Sequence, residues 1–191
     1  MESTKTRILK KLLETDGYLS GQELCEQLGV SRTAVWKYMK QLKEEGYEIE
    51  AVQNKGYCLK DVPDVLGESE IKSRLHTRWA GQTLYYYDEI DSTNTQIKRL
   101  AEEDAPHGTL AVADYQSRGK GRRGRAWDSP HGSAIYMSIL FRPEIRPDRA
   151  SMLTLVIGLS VTQAIRSNLG LQAQIKWPND VVLNGKKLVG I

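Results

Sequence analysis

Along the first sixty residues the apolar positions fall at helical intervals. Ile8, Leu9, Leu12 and Leu13 form one buried stripe, which predicts a helix over 4–14. Ser20-Gly21-Gln22-Glu23 fits a capping box, and Leu24 and Leu28 supply the inner face of a second helix that Gly29 ends. Ser31 caps a third helix running to about Glu45, with Val35, Tyr38, Met39 and Leu42 inward and Gly46 as its stop. The period then changes from 3.6 to 2: Tyr47, Ile49 and Ala51 alternate, "QNKG" turns the chain, and Tyr57 and Leu59 resume the alternation. Helices this short are not stable alone, so three helices and a hairpin must share one small core. That order of elements describes a winged helix-turn-helix over residues 1–62.

"DVPDVLGESE" (61–70) mixes proline, glycine and acids, and a linker with a connecting segment is expected over 63–80. Beyond it, strands and helices alternate. "TLYYYD" (83–88), "TLAVAD" (109–114) and "AIYMSILF" (134–141) predict strands, with a helix from Ser92 to about Glu103 between the first two. Apolar positions Met152, Leu153, Val156, Leu159 and Ile165 predict a long helix from Asp148 to Asn168, closed by Gly170. "QIKWPND" follows, its proline expected to end or edge the strand before it. Asn184-Gly185, between apolar segments, is a hairpin signal. The strand after it is still running at Ile191, so a chain truncated within the second domain is expected. The fold class is α+β: a winged helix-turn-helix followed by a mixed α/β domain over 81–191, incomplete at its C-terminus.

Charge changes this picture little. The 27 Lys and Arg against 24 Asp and Glu leave the chain mildly basic, compatible with nucleic acid or an acidic ligand and diagnostic of neither. Residues 1–60 hold ten Lys and Arg and nine Asp and Glu, so electrostatics alone does not argue for DNA. The argument rests on the start of the third helix, where Ser31, Arg32, Thr33, Trp36 and Lys37 face outward, and on Lys55 at the wing turn. Arg and Lys can donate to guanine or phosphate, and Thr can meet a phosphate or a thymine methyl. A merely solvated polar face is the alternative. Cys25 and Cys58 have neither metal-ligand nor redox spacing. No stretch of about 20 apolar residues occurs, and a cytoplasmic protein without membrane insertion is expected.

Between Arg118 and Arg125, five cations alternate with three glycines. No P-loop pattern is present. "GKGRRG" matches a dinucleotide fingerprint in spacing, but Pro130 and Gly132 follow too soon for the required helix. What remains is a flexible cationic loop leaving a strand. Its charges repel one another, so its closure is expected to need an anion, and a guanidinium's fork suits phosphate. Trp127 could stack on a base. A loop contacting RNA or DNA is the alternative. "DSTN" (91–94) places short hydrogen-bonding side chains at a strand-to-helix junction, where free amides also bind polar atoms, though it could be only a cap. "KWPND" (176–180) adds Lys176, which could neutralise a carboxylate or phosphate, and Asn179.

Taken together, "DSTN", "Q-x-x-G-K-G-R-R-G-R-x-W", "S-P-H-G-S-A-I-Y-M-S", "K-W-P-N-D" and "N-G-K-K-L-V-G-I" resemble the signatures of bifunctional biotin–protein ligases, in order and over nearly the whole chain. The resemblance implies two half-reactions. Biotin's carboxylate attacks the α-phosphate of ATP, with Mg²⁺, to give biotinyl-5′-AMP; a lysine of a biotin carboxyl carrier domain then displaces AMP. It also implies a biotin-responsive repressor of biotin synthesis genes that binds operator DNA as a homodimer when adenylate-bound. A non-catalytic biotin-sensing repressor is the alternative. By the same resemblance Ser92, Thr93, Asn94 and Gln116 contact biotin, and Lys120, Gly121 and Arg122 cover it and its activated carboxylate. Arg122, Arg125 and Trp127 bear on the adenylate. Lys176 meets the reacting carboxylate and phosphate, and Asn179 the nucleotide; Lys176, Arg122 and Arg125 are the expected catalytic groups. The family's "G-R-G-R-R-G-R" has Lys120 in place of its first arginine here, which keeps the charge and loses the bidentate fork. Modestly weaker retention of the intermediate is implied.

Overall fold

The computed structural model describes residues 3–191, in two compact units, Met1–Phe141 and Arg142–Ile191. In the first, helices α1 (Thr4–Glu14), α2 (Gly21–Leu28) and α3 (Arg32–Glu44) precede strands β1 (Glu48–Val52) and β2 (Gly56–Asp61). Each helix begins on a serine: Ser3, Ser20 and Ser31 accept from the amides of Thr6, Glu23 and Ala34. Only half of the expected capping box forms, because the Glu23 carboxylate accepts from Gln27 Nε2 at 2.9 Å. Ile8, Leu9, Leu24, Val35, Met39 and Leu42 are sealed from solvent, with Tyr47 and Ile49 closing the hairpin side. Ala51, which alternates with Tyr47 and Ile49, is exposed.

The wing is tied to the helices by a reciprocal main-chain pair: Leu19 N–H to Tyr57 O at 2.8 Å and Tyr57 N–H to Leu19 O at 2.9 Å. That approach requires Gly56. Its φ is +109°, and a methyl there would overlap the Leu19 carbonyl oxygen.

The connecting segment contains a six-residue helix, α4 (Glu68–Ser73). On one side it meets the winged helix through polar groups. Ser69 lies against Thr6, and the Tyr47 hydroxyl donates to Glu70 at 2.6 Å, with burial and this acid pushing the phenol upward. On the other side Ile71, with Leu66, packs on Leu84, Leu110 and Val112 of the following sheet.

That sheet has the order β3-β4-β5, from β3 (Leu84–Ile90), β4 (Leu110–Gln116) and β5 (Tyr136–Ile139), with helix α5 (Thr93–Glu102) joining β3 to β4. β3 and β4 are parallel, paired from Leu84↔Leu110 to Ile90↔Gln116; β5 runs antiparallel to β4. Ile97, Leu100 and Ala111 form the core under α5, opposite the Leu84 cluster. The parallel register brings the carboxyl ends of β3 and β4 side by side, where open α/β sheets place their ligands.

The second unit holds α6 (Met152–Leu169) and a sheet of order β6-β7-β8, all antiparallel: β6 (Gln174–Lys176), β7 (Asp180–Leu183) and β8 (Lys186–Gly190). Pro178 sits in the turn that ends β6, as its ring demands. Asn184 and Gly185, both at positive φ, make the second hairpin turn. In α6, Met152, Val156 and Leu159 are 50–58% exposed, while Gly158 and Thr162 are buried. "MLTLVIGL" is apolar nearly all round, so three short strands can cover only part of it.

Gly56→Ala should lower the stability of the winged helix by about 2 kcal/mol or more, through backbone strain and loss of the Leu19–Tyr57 pair. Urea unfolding followed by far-ultraviolet circular dichroism measures it as a shifted midpoint.

Candidate functional site

The site in the first unit is built where β3 and β4 end together. Past Ile90 the chain turns into α5, placing Ser92 at its N-cap and Thr93 and Asn94 in its first turn. Past Gln116 it enters the arginine-rich loop, and Ser117 and Arg118 donate their amides to the carbonyls of Ile90 and Asp91. The junction is therefore pinned to the loop by main-chain bonds. Asp91 secures it further: its carboxylate takes the Ser92 amide at 2.7 Å and Arg99 Nη2 at 2.8 Å. The guanidinium, with help from that amide, holds this carboxyl below the usual carboxylate range against a smaller opposing effect of burial.

Ser92 and Thr93 are buried, 1% and 4% exposed. Thr93 donates its amide (2.8 Å) and its hydroxyl (3.1 Å) to Gln116 Oε1, and Gln116 Nε2 donates to Ser129 Oγ at 2.9 Å. The Ser138 hydroxyl on β5 lies 2.9 Å from Thr93 Oγ1 and 2.8 Å from Asn94 Oδ1. Ser92 Oγ is buried with no hydrogen-bond partner among the described residues. An orphaned buried hydroxyl costs about 1–3 kcal/mol, and at the positive end of a helix it marks a place where a polar ligand atom completes the structure.

The loop is held by its own main chain. Lys120 and Ala126 form an antiparallel bridge, the Gly121 amide donates to Arg125 O at 2.8 Å, and the Trp127 amide donates to Gly119 O at 2.9 Å. Arg122–Gly124 make one 3₁₀ turn with Arg123 left-handed at φ 57°. Main-chain bonds hold the loop's turn, and Arg122, Arg123 and Arg125 are exposed, where screening weakens their mutual repulsion. Lys120 reaches back to α5, its ammonium 3.0 Å from Thr95 Oγ1. Trp127 is half-exposed beside the loop's base.

Sequence reasoning thus placed Ser92, Thr93, Asn94, Gln116, Lys120, Gly121, Arg122, Arg125 and Trp127 in segments that the fold brings to one end of one sheet. It missed Thr95, Ser129 and Ser138. Ser129 lies within "SPHGS", a signature quoted for its resemblance alone; Ser138 alternates with Met137 on β5, a period-2 signal that shows a face but no partner. Lys176 and Asn179 belong to the second unit. Lys176 ends β6, exposed, and Asn179 Nδ2 lies 2.9 Å from Asp180 Oδ1, which also pairs with Lys187.

A second surface lies on the winged helix. Ser31 caps α3; Arg32, Thr33, Trp36 and Lys37 are exposed on its first turns, and Trp36 is 61% exposed. Gln22 Oε1 accepts from Arg32 Nη2 at 3.4 Å. Between α3 and the wing runs a groove of about 580 Å³, lined by Gln22, Arg32, Ala51, Asn54, Lys55 and Tyr57 among others. Lys55 also stands over the Tyr18 ring, 5.5 Å from its centre.

Comparison with known proteins gives both parts a lineage. Residues 4–58 match a helix-turn-helix domain family, and residues 86–191 match the biotin/lipoate A/B protein ligase family. The chain is 47% identical over 193 aligned residues to the bifunctional ligase/repressor BirA of Bacillus spizizenii and 46% identical to that of Bacillus subtilis. All of the chain aligns with each, and it spans 59% of their length. The biotin protein ligase of Aquifex aeolicus, solved with biotin and ATP, superposes with a TM-score of 0.51 at 39% identity, covering 57% of this chain and 45% of that one. With the ligase model matching more than half of its residues, the chain belongs to the biotin/lipoate A/B protein ligase family.

Proposed function

We propose that the protein activates biotin with ATP to give biotinyl-5′-AMP, transfers the biotinyl group to a lysine of a biotin carboxyl carrier domain, and represses biotin synthesis genes as an adenylate-responsive DNA-binding protein. The observation that carries this reading is the meeting of a buried, partnerless Ser92 hydroxyl and a fixed Gln116 amide with a cationic loop at one sheet end. A neutral cyclic urea offers one acceptor and two donors, which suits hydroxyl and amide groups in a dry site. A phosphate anhydride suits the guanidinium groups beside them.

Ser92, Thr93, Asn94 and Gln116 hold the biotin ring system. Lys120 and Gly121 cover the valerate arm. Arg122 and Arg125 balance the charge that gathers on the α-phosphate as a carboxylate oxygen bonds to phosphorus and pyrophosphate leaves. Trp127 lies against the adenine side. Lys176 pairs with the reacting carboxylate and phosphate, and Asn179 bonds the nucleotide. The carrier lysine then attacks the mixed anhydride's carbonyl carbon and AMP departs. No side chain serves as a nucleophile, so the chain's part is placement, charge balance and exclusion of water. Mg²⁺ accompanies the triphosphate. Among the described residues no group of three or more His, Cys, Asp or Glu forms a cage for it, and no step here is routed through the ion.

Residues 1–62 are the operator-reading part and 81–191 the ligase part, joined by 63–80. Ser31, Arg32, Thr33, Trp36 and Lys37 approach the major groove and Lys55 a neighbouring phosphate. The adenylate-bound chain pairs with a second copy on the operator. The protein works in the cytoplasm; among the described residues no helix is long and apolar enough to cross a membrane.

Three outcomes follow. Labelled biotin with ATP should release pyrophosphate and then mark a carrier-domain lysine. Binding of biotin without pyrophosphate release, in the chain extended to its relatives' length, would leave a sensing repressor instead. Arg32→Ala should weaken operator binding and relax its sequence preference by about tenfold or more, whereas Lys43→Ala should alter only its salt dependence; titration of labelled operator DNA distinguishes them. Arg122→Gly should release adenylate into solution, read as increased biotin on lysines of a bystander protein at matched adenylate production.

A further inference from the structure

The Gln116 side chain offers four hydrogen-bonding positions, and three are taken by the protein. Its Oε1 accepts twice, from the Thr93 amide and the Thr93 hydroxyl. A backbone amide can only donate, so this contact fixes which end of the Gln116 amide is oxygen. Its Nε2 therefore points the other way and places one hydrogen on Ser129 Oγ. Only the second Nε2 hydrogen has no partner among the described residues, leaving one donor for a ligand.

Ser129 is 2% exposed, and its environment is not that of a surface serine. It holds Gln116 twice, since its carbonyl also takes the Gln116 main-chain amide at 3.2 Å. Its own hydroxyl hydrogen is directed at Trp127 O, 3.2 Å away. The result is a one-way chain of donors from α5 through Thr93, Gln116 and Ser129 to the Trp127 carbonyl at the loop's exit. Gly119, at the loop's entry, packs against the same chain: a methyl there would overlap the Trp127 carbonyl and stand 2.7 Å from Ser129 Oγ.

We infer that Ser129 is a positioning residue for the biotin site, holding the Gln116 amide so that its remaining N–H is presented to the ligand's carbonyl oxygen. The inference rests on the reading of Gln116 as a biotin contact. Without the Ser129 hydroxyl, Nε2 keeps its burial and loses its acceptor, and the amide librates about its Thr93 anchor. A ligand must then order that donor as it binds.

The test uses the unchanged chain, Ser129→Ala, Gln116→Ala and the double variant, with biotin affinity measured by calorimetry. Ser129→Ala should weaken biotin by about tenfold, the scale of one lost hydrogen bond at a buried group. In the Gln116→Ala background the same change should cost less than about twofold, because Ser129 acts through Gln116. An equal loss in both backgrounds would make Ser129 a packing residue and overturn the inference. A readout free of biotin runs beside it: the Gln116 side-chain NH₂ pair in the nitrogen–proton correlation spectrum. In the unchanged chain its two protons should be widely separated and slow to exchange; in Ser129→Ala they should move to the unstructured position. An unmoved pair would also overturn the inference. If the chain extended to its relatives' length fails to bind biotin while the NH₂ pair responds as stated, the biotin reading fails and the positioning of Gln116 by Ser129 stands.

Discussion

The parallel pairing of β3 with β4, carried as far as Ile90↔Gln116, is the constraint on which the candidate site depends. Parallel strands release their chains at the same end, and here the two exits are a helix start and a cationic loop. Ser92 and Gln116 are 24 positions apart in sequence yet become neighbours, because the β3–α5–β4 crossover consumes the residues between them. A shift of two residues in this register would separate Thr93 from the Gln116 amide and leave the loop without the main-chain bonds that Ser117 and Arg118 make. β5 completes the arrangement from the far side of β4, supplying the Ser138 hydroxyl to α5.

A second feature is the division of labour within the loop. Its shape is held by amides and carbonyls, and the Arg123 and Arg125 guanidinium groups face solvent. A cationic loop whose fold depended on pairing with acids would have its guanidinium groups already committed. Arg123 and Arg125 instead extend from a closed turn, so a bound phosphate need not first break an internal ion pair. Lys120 differs from its neighbours in turning toward Thr95, which joins the loop to α5 through a single polar contact.

How far the sequence discloses this depends on the range of the interactions involved. Helix starts were legible because a serine cap and a 3.6-residue stripe are local: Ser3 escaped notice, but Ser20 and Ser31 mark α2 and α3 where they begin. The Asn184-Gly185 turn was legible for the same reason. The site segments were legible as motifs, and their convergence was not, since strand order is a tertiary matter. Ser129 and Ser138 were illegible as site residues because a serine's partner is set by register, and nothing in the pattern around either names Gln116 or Asn94. Which face of α6 is covered was not legible, since a helix apolar on most sides in its first half offers no single stripe; the buried positions are Gly158 and Thr162.

Helix α4 joins the winged helix to the sheet through two seams of different chemistry. Toward α1 and Tyr47 it presents Ser69 and Glu70 to hydrogen-bonding partners; toward the sheet, Ile71 with Leu66 presents hydrocarbon. Hydrocarbon contact loses strength on cooling, whereas the Tyr47–Glu70 bond does not share that dependence. Temperature thus acts unequally on the two sides of a six-residue helix. Cooling therefore weakens the hydrocarbon seam toward Leu84, Leu110 and Val112 more than the polar seam toward Thr6 and Tyr47.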